Sequence, residues 1–290
     1  MVLWQVLVLA FVQGLAELLP VSSSAHVVVV EKLMGLDPSS PEMTLLLVML
    51  HTGTMFAVIL YFWKQWKQSF FSSAHTFWRI ATRLVVASAI TLIIGEGLMK
   101  VIEKLFGHGQ VIEPEQFFGR LDLIAPALLA AGILILIAGW KSRSGEAGSA
   151  HDNDGTPRPC LQQSSIIGAV QGLCLPFRGF SRSGATISTG LLLGIAKPQA
   201  EAFSFALAIL LTPPVVAREL LRLMKLRHLE GAALGHAAVP GLIGMVCALL
   251  AGLLALKWLS RWLEGGKWYL FGIYCVVAAI GVELLHHAGY

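Results

Sequence analysis

Charge is what this 290-residue chain has least of. Asp, Glu, Lys and Arg make up 13% of it and apolar residues 56%, with a mean hydropathy of +0.73. A soluble domain carries about 25% charged residues, so the composition excludes a soluble enzyme and points to an integral membrane protein. The net charge of +4 is small and dispersed, which excludes a nucleic-acid-binding surface; basic residues near membrane ends set orientation instead. Cysteine is scarce too. Cys160, Cys174, Cys247 and Cys275 form no C-x-x-C pair and three sit in apolar runs, so neither a disulfide framework nor a zinc site is expected. The first residues lack a basic region and a small-residue cleavage site, so no cleaved signal peptide is expected and Met1 is read as retained.

What the chain has in abundance is long oily stretches. Six are long enough to cross a bilayer as helices, which takes roughly 20 residues each: Met43–Trp63, Ile80–Met99, Leu121–Trp140, Glu201–Met224, Leu234–Trp258 and Trp268–Leu285. Trp63, Trp66, Trp140, Trp258, Trp262 and Trp268 fall at or near their ends, where an interfacial aromatic belt belongs. The basic residues at the ends, Lys64, Lys67, Arg79, Lys141, Lys257 and Arg261 among them, place one face in the cytoplasm and both termini outside.

Two further stretches are oily but interrupted. Residues 1–36 and 164–196 each carry a Pro and a Ser cluster near the middle. Lipid cannot satisfy a broken backbone, so such segments survive only inside protein or along a cavity. Each is read as a re-entrant helical hairpin that enters and leaves on one side. The chain then divides into a first repeat (1–140), a polar linker (141–160) and a second repeat (161–290), each repeat one hairpin plus three crossings. An odd number of crossings inverts the second copy, so the hairpins dip in from opposite faces and meet near the midplane. The expected fold is an all-α membrane protein with six crossings and two re-entrant hairpins.

The hairpins hold the chemistry. The first reads Gln13-Gly-Leu-Ala-Glu17-Leu-Leu-Pro-Val-Ser22-Ser23-Ser24-Ala-His26, the second Gln171-Gly-Leu-Cys-Leu-Pro-Phe-Arg178-Gly-Phe-Ser181-Arg182-Ser183-Gly-Ala-Thr186. An ionisable residue at membrane depth costs about 2.5–3.5 kcal/mol on insertion scales. A lone buried Glu or His often only bonds a neighbouring helix, but Glu17, His26 and Arg182 occur together with Ser and Thr in mirrored hairpins. The combination points to phosphate. Helix N-termini at Ser22–Ser24 and Ser181–Gly184 attract an anion, and Arg182 offers a fork for two phosphate oxygens. Glu17 repels phosphate, so it either holds a divalent cation or orients a nucleophile or His26. Ser23 and His26 are the two candidate nucleophiles, and His26 otherwise protonates the leaving group. His51 is read as equally suited to packing and to lining the site.

Gln-x-x-x-Glu followed by Leu-Leu-Pro-Val-Ser-Ser-Ser-Ala-His, with Gly-Phe-Ser-Arg-Ser-Gly-Ala-Thr in the second half, resembles the undecaprenyl-diphosphate phosphatases, the bacitracin-resistance family. The likeness includes His-Thr-Gly-Thr at 51–54 and Phe-Ser-Phe-Ala-Leu-Ala at 203–208. It implies a bacterial inner-membrane enzyme that removes one phosphate from the C55 isoprenoid diphosphate carrier of cell-wall synthesis. A paired-hairpin inverted repeat, a divalent cation (Mg2+ or Ca2+) and a site facing the periplasm come with it. Carried across, the acidic motif falls on Gln13 and Glu17, the Ser motif on Ser22, Ser23 and His26, and the phosphate-binding motif on Ser181, Arg182, Ser183 and Thr186. Gln13 stands where many members have a second Glu, so a metal site here keeps one carboxylate. Ala25 replaces the usual Gly, and Phe177-Arg178 replaces a Pro before Gly179, which makes Arg178 either a second phosphate contact, alongside Ser24, or an interfacial charge. The expected partners are the polyprenyl diphosphate and membrane lipids, with no nucleic acid and with room for a homodimer. The rival reading is a transporter or flippase for the lipid carrier, since inverted repeats and broken helices are transporter features.

Overall fold

The computed structural model describes residues 2–37, 40–106, 121–143 and 159–288, and all regular structure among them is helical. Two short helices, α1 (Leu3–Leu18) and α2 (Ser23–Leu33), precede α3 (Pro41–Ser69), α4 (Ala74–Phe106) and α5 (Leu121–Arg143). A second short pair, α6 (Leu161–Cys174) and α7 (Arg182–Leu192), precedes α8 (Lys197–Glu264) and α9 (Tyr269–His287). Five segments among the described residues are long and apolar enough to cross a membrane: Glu42–Ser69, Ala74–Ile102, Leu121–Ser142, Val239–Glu264 and Tyr269–His287. Helix α5 continues to Arg143, into the stretch read as a polar linker (141–160), and residues 144–158 lie outside the described residues.

Local chemistry explains where the short helices stop. Pro20 has no N–H to continue α1 and pushes the residue before it out of the helical region; Leu19 is extended at φ −73°, ψ 150°. Between α6 and α7 the chain turns through Pro176 and Gly179. Gly179 has φ +104° and lies so close to Ile124 O that a Cβ would stand 2.5 Å from it. Ser40 caps α3 by accepting from Met43 N at 3.2 Å, with Pro41 at the start of the helix.

The stretches Glu201–Met224 and Leu234–Trp258 are not separate helices. Both fall within α8, which is helical by backbone pattern from Lys197 to Glu264. The element nevertheless doubles back. Ser260 Oγ donates to Glu201 Oε1 at 2.6 Å, whereas 59 residues of straight helix would separate them by about 90 Å. Pro213, Pro214 and Pro240 all lie in that interval. The two limbs embrace α3: Trp66 packs toward Ala202 and Phe62 toward Phe205, while Gly53 sits against Met245 and Tyr61 donates to Ser260 at 2.9 Å.

The hairpins pack reciprocally. In the first, α1 lies against the returning limb of α8, where a Cβ on Gly14 would stand 2.6 Å from Ala251 Cβ. In the second, α6 lies against α4, with Thr91 Oγ1 donating to both Ala87 O and Gly168 O at 2.8 Å. Finally α5 and α9 pack on each other. Two tryptophans read as belt residues are core instead. Trp268 is fully buried and donates Nε1–H to Ser188 Oγ at 3.0 Å, and Trp66 is 7% exposed and donates to Ala202 O at 3.4 Å. Each indole found an internal acceptor, which lets the ring leave the interface. Trp63, Trp140, Trp258 and Trp262 are exposed as a belt requires.

Candidate active site

The two hairpin turns meet, and their contacts form one polar cluster in an apolar interior. Glu17, on the last turn of α1, is at its centre. Its Oε1 accepts from Arg182 Nη2 at 2.5 Å, across 165 residues of chain. Its Oε2 accepts from Ser23 Oγ at 2.5 Å and from Gln13 Nε2 at 3.1 Å. Gln13 lies one helical turn before Glu17, so the two share a face of α1. His51 Nε2 stands 3.6 Å from the same Oε2. The carboxylate side chain is 10% exposed and the Arg182 side chain 32%, so the ion pair is shielded on one side and reachable on the other.

Other bonds tie the tips together. Ser24 Oγ accepts from Gly179 N at 3.3 Å, and Ser183 Oγ donates to Leu19 O at 3.2 Å. Ser22 Oγ and Ser24 Oγ share a hydrogen bond at 3.2 Å. Ser22 is the one residue other than glycine with positive φ among the described residues, at 69°. Such a conformation costs about 1–3 kcal/mol and persists where surrounding structure enforces it. Ser22 supplies no side-chain cap to α2, so the first-turn amides of that helix remain available to an anion. At α7 the corresponding Ser181 does cap, accepting from Gly184 N at 3.2 Å.

Not every residue read as a phosphate ligand points into the cluster. Thr186 is fully buried; its Oγ1 bonds Arg182 O at 2.9 Å and Ser204 Oγ at 2.5 Å, which fastens α7 to α8. Ser181 and Ser183 are also buried and engaged with backbone. Arg178 interacts electrostatically with buried Glu31 on α2. These residues hold the tips in register, while Glu17, Ser23 and Arg182 form the exposed end of the cluster.

His26 faces elsewhere than expected of a nucleophile. Its Nδ1–H donates to Ser22 O at 2.8 Å, because a carbonyl can only accept. Its Nε2 lies 2.6 Å from the hydroxyl of Tyr274 on α9, and the two rings stack 5.6 Å apart at 14°. His51 repeats the pattern, with Nδ1–H donated to Leu47 O at 2.8 Å. Sequence reasoning missed Tyr274 altogether: it lies 248 residues from His26 in a plain apolar helix, and no spacing marks it.

The space beside the cluster is small. A cavity of about 20 Å³, room for one water, is bounded by Glu17, His51, Thr54, Arg182 and Thr212. A cavity of about 290 Å³ lies away from this chemistry, among Gln65, Arg83, Gln199 and Phe203 at the far end of α3. A resident divalent cation does not fit the donor set. Among the described residues no three His, Cys, Asp or Glu side chains converge, and both oxygens of Glu17 are engaged, one of them by a guanidinium.

Comparison with known proteins identifies the family. The family model described as bacitracin resistance protein BacA matches residues 6–281. A protein named undecaprenyl-diphosphatase 2 from Acinetobacter baylyi is 55% identical over 287 residues, 97% of each chain. An undecaprenyl-diphosphatase from Parabacteroides distasonis is 31% identical over 96% of each chain, and an undecaprenyl-diphosphatase 2 from Burkholderia ambifaria 32% identical over 99% of each.

Proposed function

This chain belongs to the bacitracin resistance protein BacA family, and from that premise we propose how its hairpin cluster hydrolyses undecaprenyl diphosphate to undecaprenyl phosphate and inorganic phosphate. That activity recycles the lipid carrier of cell-wall synthesis and underlies bacitracin resistance. The observation that carries the reading is Glu17 bridging Ser23 and Arg182, each at 2.5 Å, across the two hairpins. It joins a nucleophile, an acceptor for its proton and a phosphate-binding cation at one point.

The steps follow from those contacts. Arg182 turns from Glu17 to the terminal phosphate, and the uncapped amides of α2 take its remaining charge. Ser23 Oγ bonds to phosphorus as the bond to the bridging oxygen breaks, and its proton passes to Glu17. Polyprenyl monophosphate leaves with the bond electrons. Water then attacks the phosphoserine, Glu17 returns its proton to Ser23, and His26 Nε2 receives the proton of the water. With Nδ1 occupied by Ser22 O, His26 is suited to accepting a proton at Nε2 rather than to donating one to the leaving group or attacking phosphorus.

The surrounding architecture fits this role. The reciprocal packing of α1–α2 on α8 and of α6–α7 on α4 supports an inverted repeat of two re-entrant hairpins (1–36 and 164–196). The outgoing limb of α8 then serves as the sixth crossing. The site is assigned to the periplasmic side of the bacterial inner membrane, with the prenyl chain in a lateral groove. The divalent cation of the family's chemistry would arrive with the diphosphate, since among the described residues only Glu17 and Gln13 stand ready to hold it. A homodimer would leave each site complete, because Glu17, Ser23 and Arg182 come from one chain. The test is phosphate release from C55 or C15 prenyl diphosphate by purified protein in detergent, where transport is impossible. Wild type should turn over and Ser23→Ala and Arg182→Ala should each lose at least a hundredfold; full activity of both variants rejects the mechanism.

A further inference from the structure

We infer that Tyr274 is a positioning residue for this hydrolysis, holding Nε2 of His26 as an acceptor and relaying a proton to it. The inference rests on the reading above, in which His26 serves as a base. Both ring nitrogens of His26 are occupied: Nδ1–H donates to Ser22 O at 2.8 Å, and the Tyr274 hydroxyl lies 2.6 Å from Nε2. The carbonyl fixes the proton on Nδ1, so in the neutral ring Nε2 is an acceptor and Tyr274 O–H its donor. The two rings lie near-parallel, with 5.6 Å between centroids and 14° between planes, so the hydroxyl meets Nε2 close to the plane of the imidazole. A second contact one residue on, Cys275 Sγ to Pro20 O at 3.3 Å, docks α9 against the turn that carries the serines. His26 lies three residues after Ser23 and therefore on the same face of α2, one turn along.

The Tyr274 hydroxyl is the group bonded to Nε2, so a proton delivered to the tyrosine oxygen can be relayed to the imidazole. A proton from water reaches Nε2 through that hydroxyl. The Tyr274 hydrogen moves to Nε2 while the water's proton replaces it on the tyrosine oxygen. Tyrosine is neutral before and after, and the charge ends on the imidazolium, whose Nε2–H then donates to the same oxygen. Hydroxyl is the one tyrosine function that can donate to the neutral ring and accept from the charged one.

The test uses full-length protein labelled with ¹⁵N-histidine in detergent, with the His26 signal identified by its absence in His26→Gln. The expected spectrum has Nδ1 protonated and Nε2 bare. Tyr274→Phe, which removes only the hydroxyl, should leave Nδ1 protonated, because Ser22 O still holds that proton, and should shift the Nε2 resonance as its donor is lost. It should also lower kcat about tenfold, the order of one lost hydrogen bond, with KM unchanged within about twofold. In the His26→Gln background the same substitution should add nothing. An Nε2–H tautomer in wild type overturns the inference without any variant. So do a Tyr274→Phe enzyme with wild-type kcat, and losses that multiply in the double variant. Failure of the hydrolysis reading looks different: wild type would release no phosphate, or Ser23→Ala would be fully active, whatever the tautomer.

Discussion

Glu17→Gln separates the chemistry of the cluster from its contribution to the fold. The substitution keeps shape and removes one charge. With charge centres about 4 Å apart and an effective dielectric of about 20, the attraction between Glu17 and Arg182 is about 4 kcal/mol. Most of that offsets the cost of taking the two groups out of water. The Arg182 side chain is 32% exposed, so water takes up part of the guanidinium once the carboxylate is gone, and the amide oxygen still accepts from it. A net loss of about 1–2 kcal/mol of stability follows. Activity should fall far more. An amide whose oxygen faces Arg182 turns its NH2 toward Ser23, so the serine loses its proton acceptor, a change of about 10²–10⁴ in rate. Single-turnover phosphate release gives the rate, and thermal unfolding followed by the fluorescence of the eight tryptophans gives the stability. Activity within threefold of wild type would refute the role given to Glu17. A collapse of folding that accounts for the whole loss would show the pair to be structural.

Gln13→Glu places a second carboxylate where Gln13 Nε2 now donates to Glu17 at 3.1 Å. Repulsion between the two should lower thermal stability without divalent cation, and Ca2+ or Mg2+ should restore it; a cation response no larger than that of wild type counts against the two carboxylates forming a cation site. Thr186→Val removes the bond to Ser204 at 2.5 Å and leaves that hydroxyl buried. It should cost about 1–3 kcal/mol of stability with KM unchanged, and a raised KM at unchanged stability would return Thr186 to the phosphate site.

Much of the fold was legible because the bilayer imposes lengths and the oily stretches obey them. The hairpins were legible for the opposite reason: Pro20 with Ser22–Ser24, and Pro176 with Ser181–Ser183, break oily sequence where lipid would not tolerate a break. The site was readable as residue types, less so as directions. Thr186 carries a motif signature, yet its hydroxyl is spent fastening α7 to α8. His51 was balanced between two roles, and only the approach of α3 to α1 puts its Nε2 within 3.6 Å of Glu17. Tyr274 was invisible, because a contact between α2 and α9 leaves no periodic trace in either helix. Trp66 and Trp268 misled through their position at segment ends, since sequence does not show which indoles find internal acceptors.

The charges also explain why the site lies between the halves and not within one. Glu17 in α1 has near it only Gln13 and Ser23 from its own hairpin, neither of which carries charge. Arg182 at the start of α7 likewise has no acidic residue in its own hairpin, which contains none between Leu161 and Ala196. Each hairpin alone would hold a charge with no opposite charge beside it in an apolar interior, at a cost of several kcal/mol. Joining them cancels both charges in a single contact of 2.5 Å. Association of the two halves and assembly of the site are therefore one event. The ion pair that completes the resting structure is also the one a phosphate must open, because its oxygens compete with Glu17 for the same guanidinium. In the proposed mechanism a phosphate takes the place of Glu17 at Arg182, which frees the carboxylate as Ser23 requires a proton acceptor.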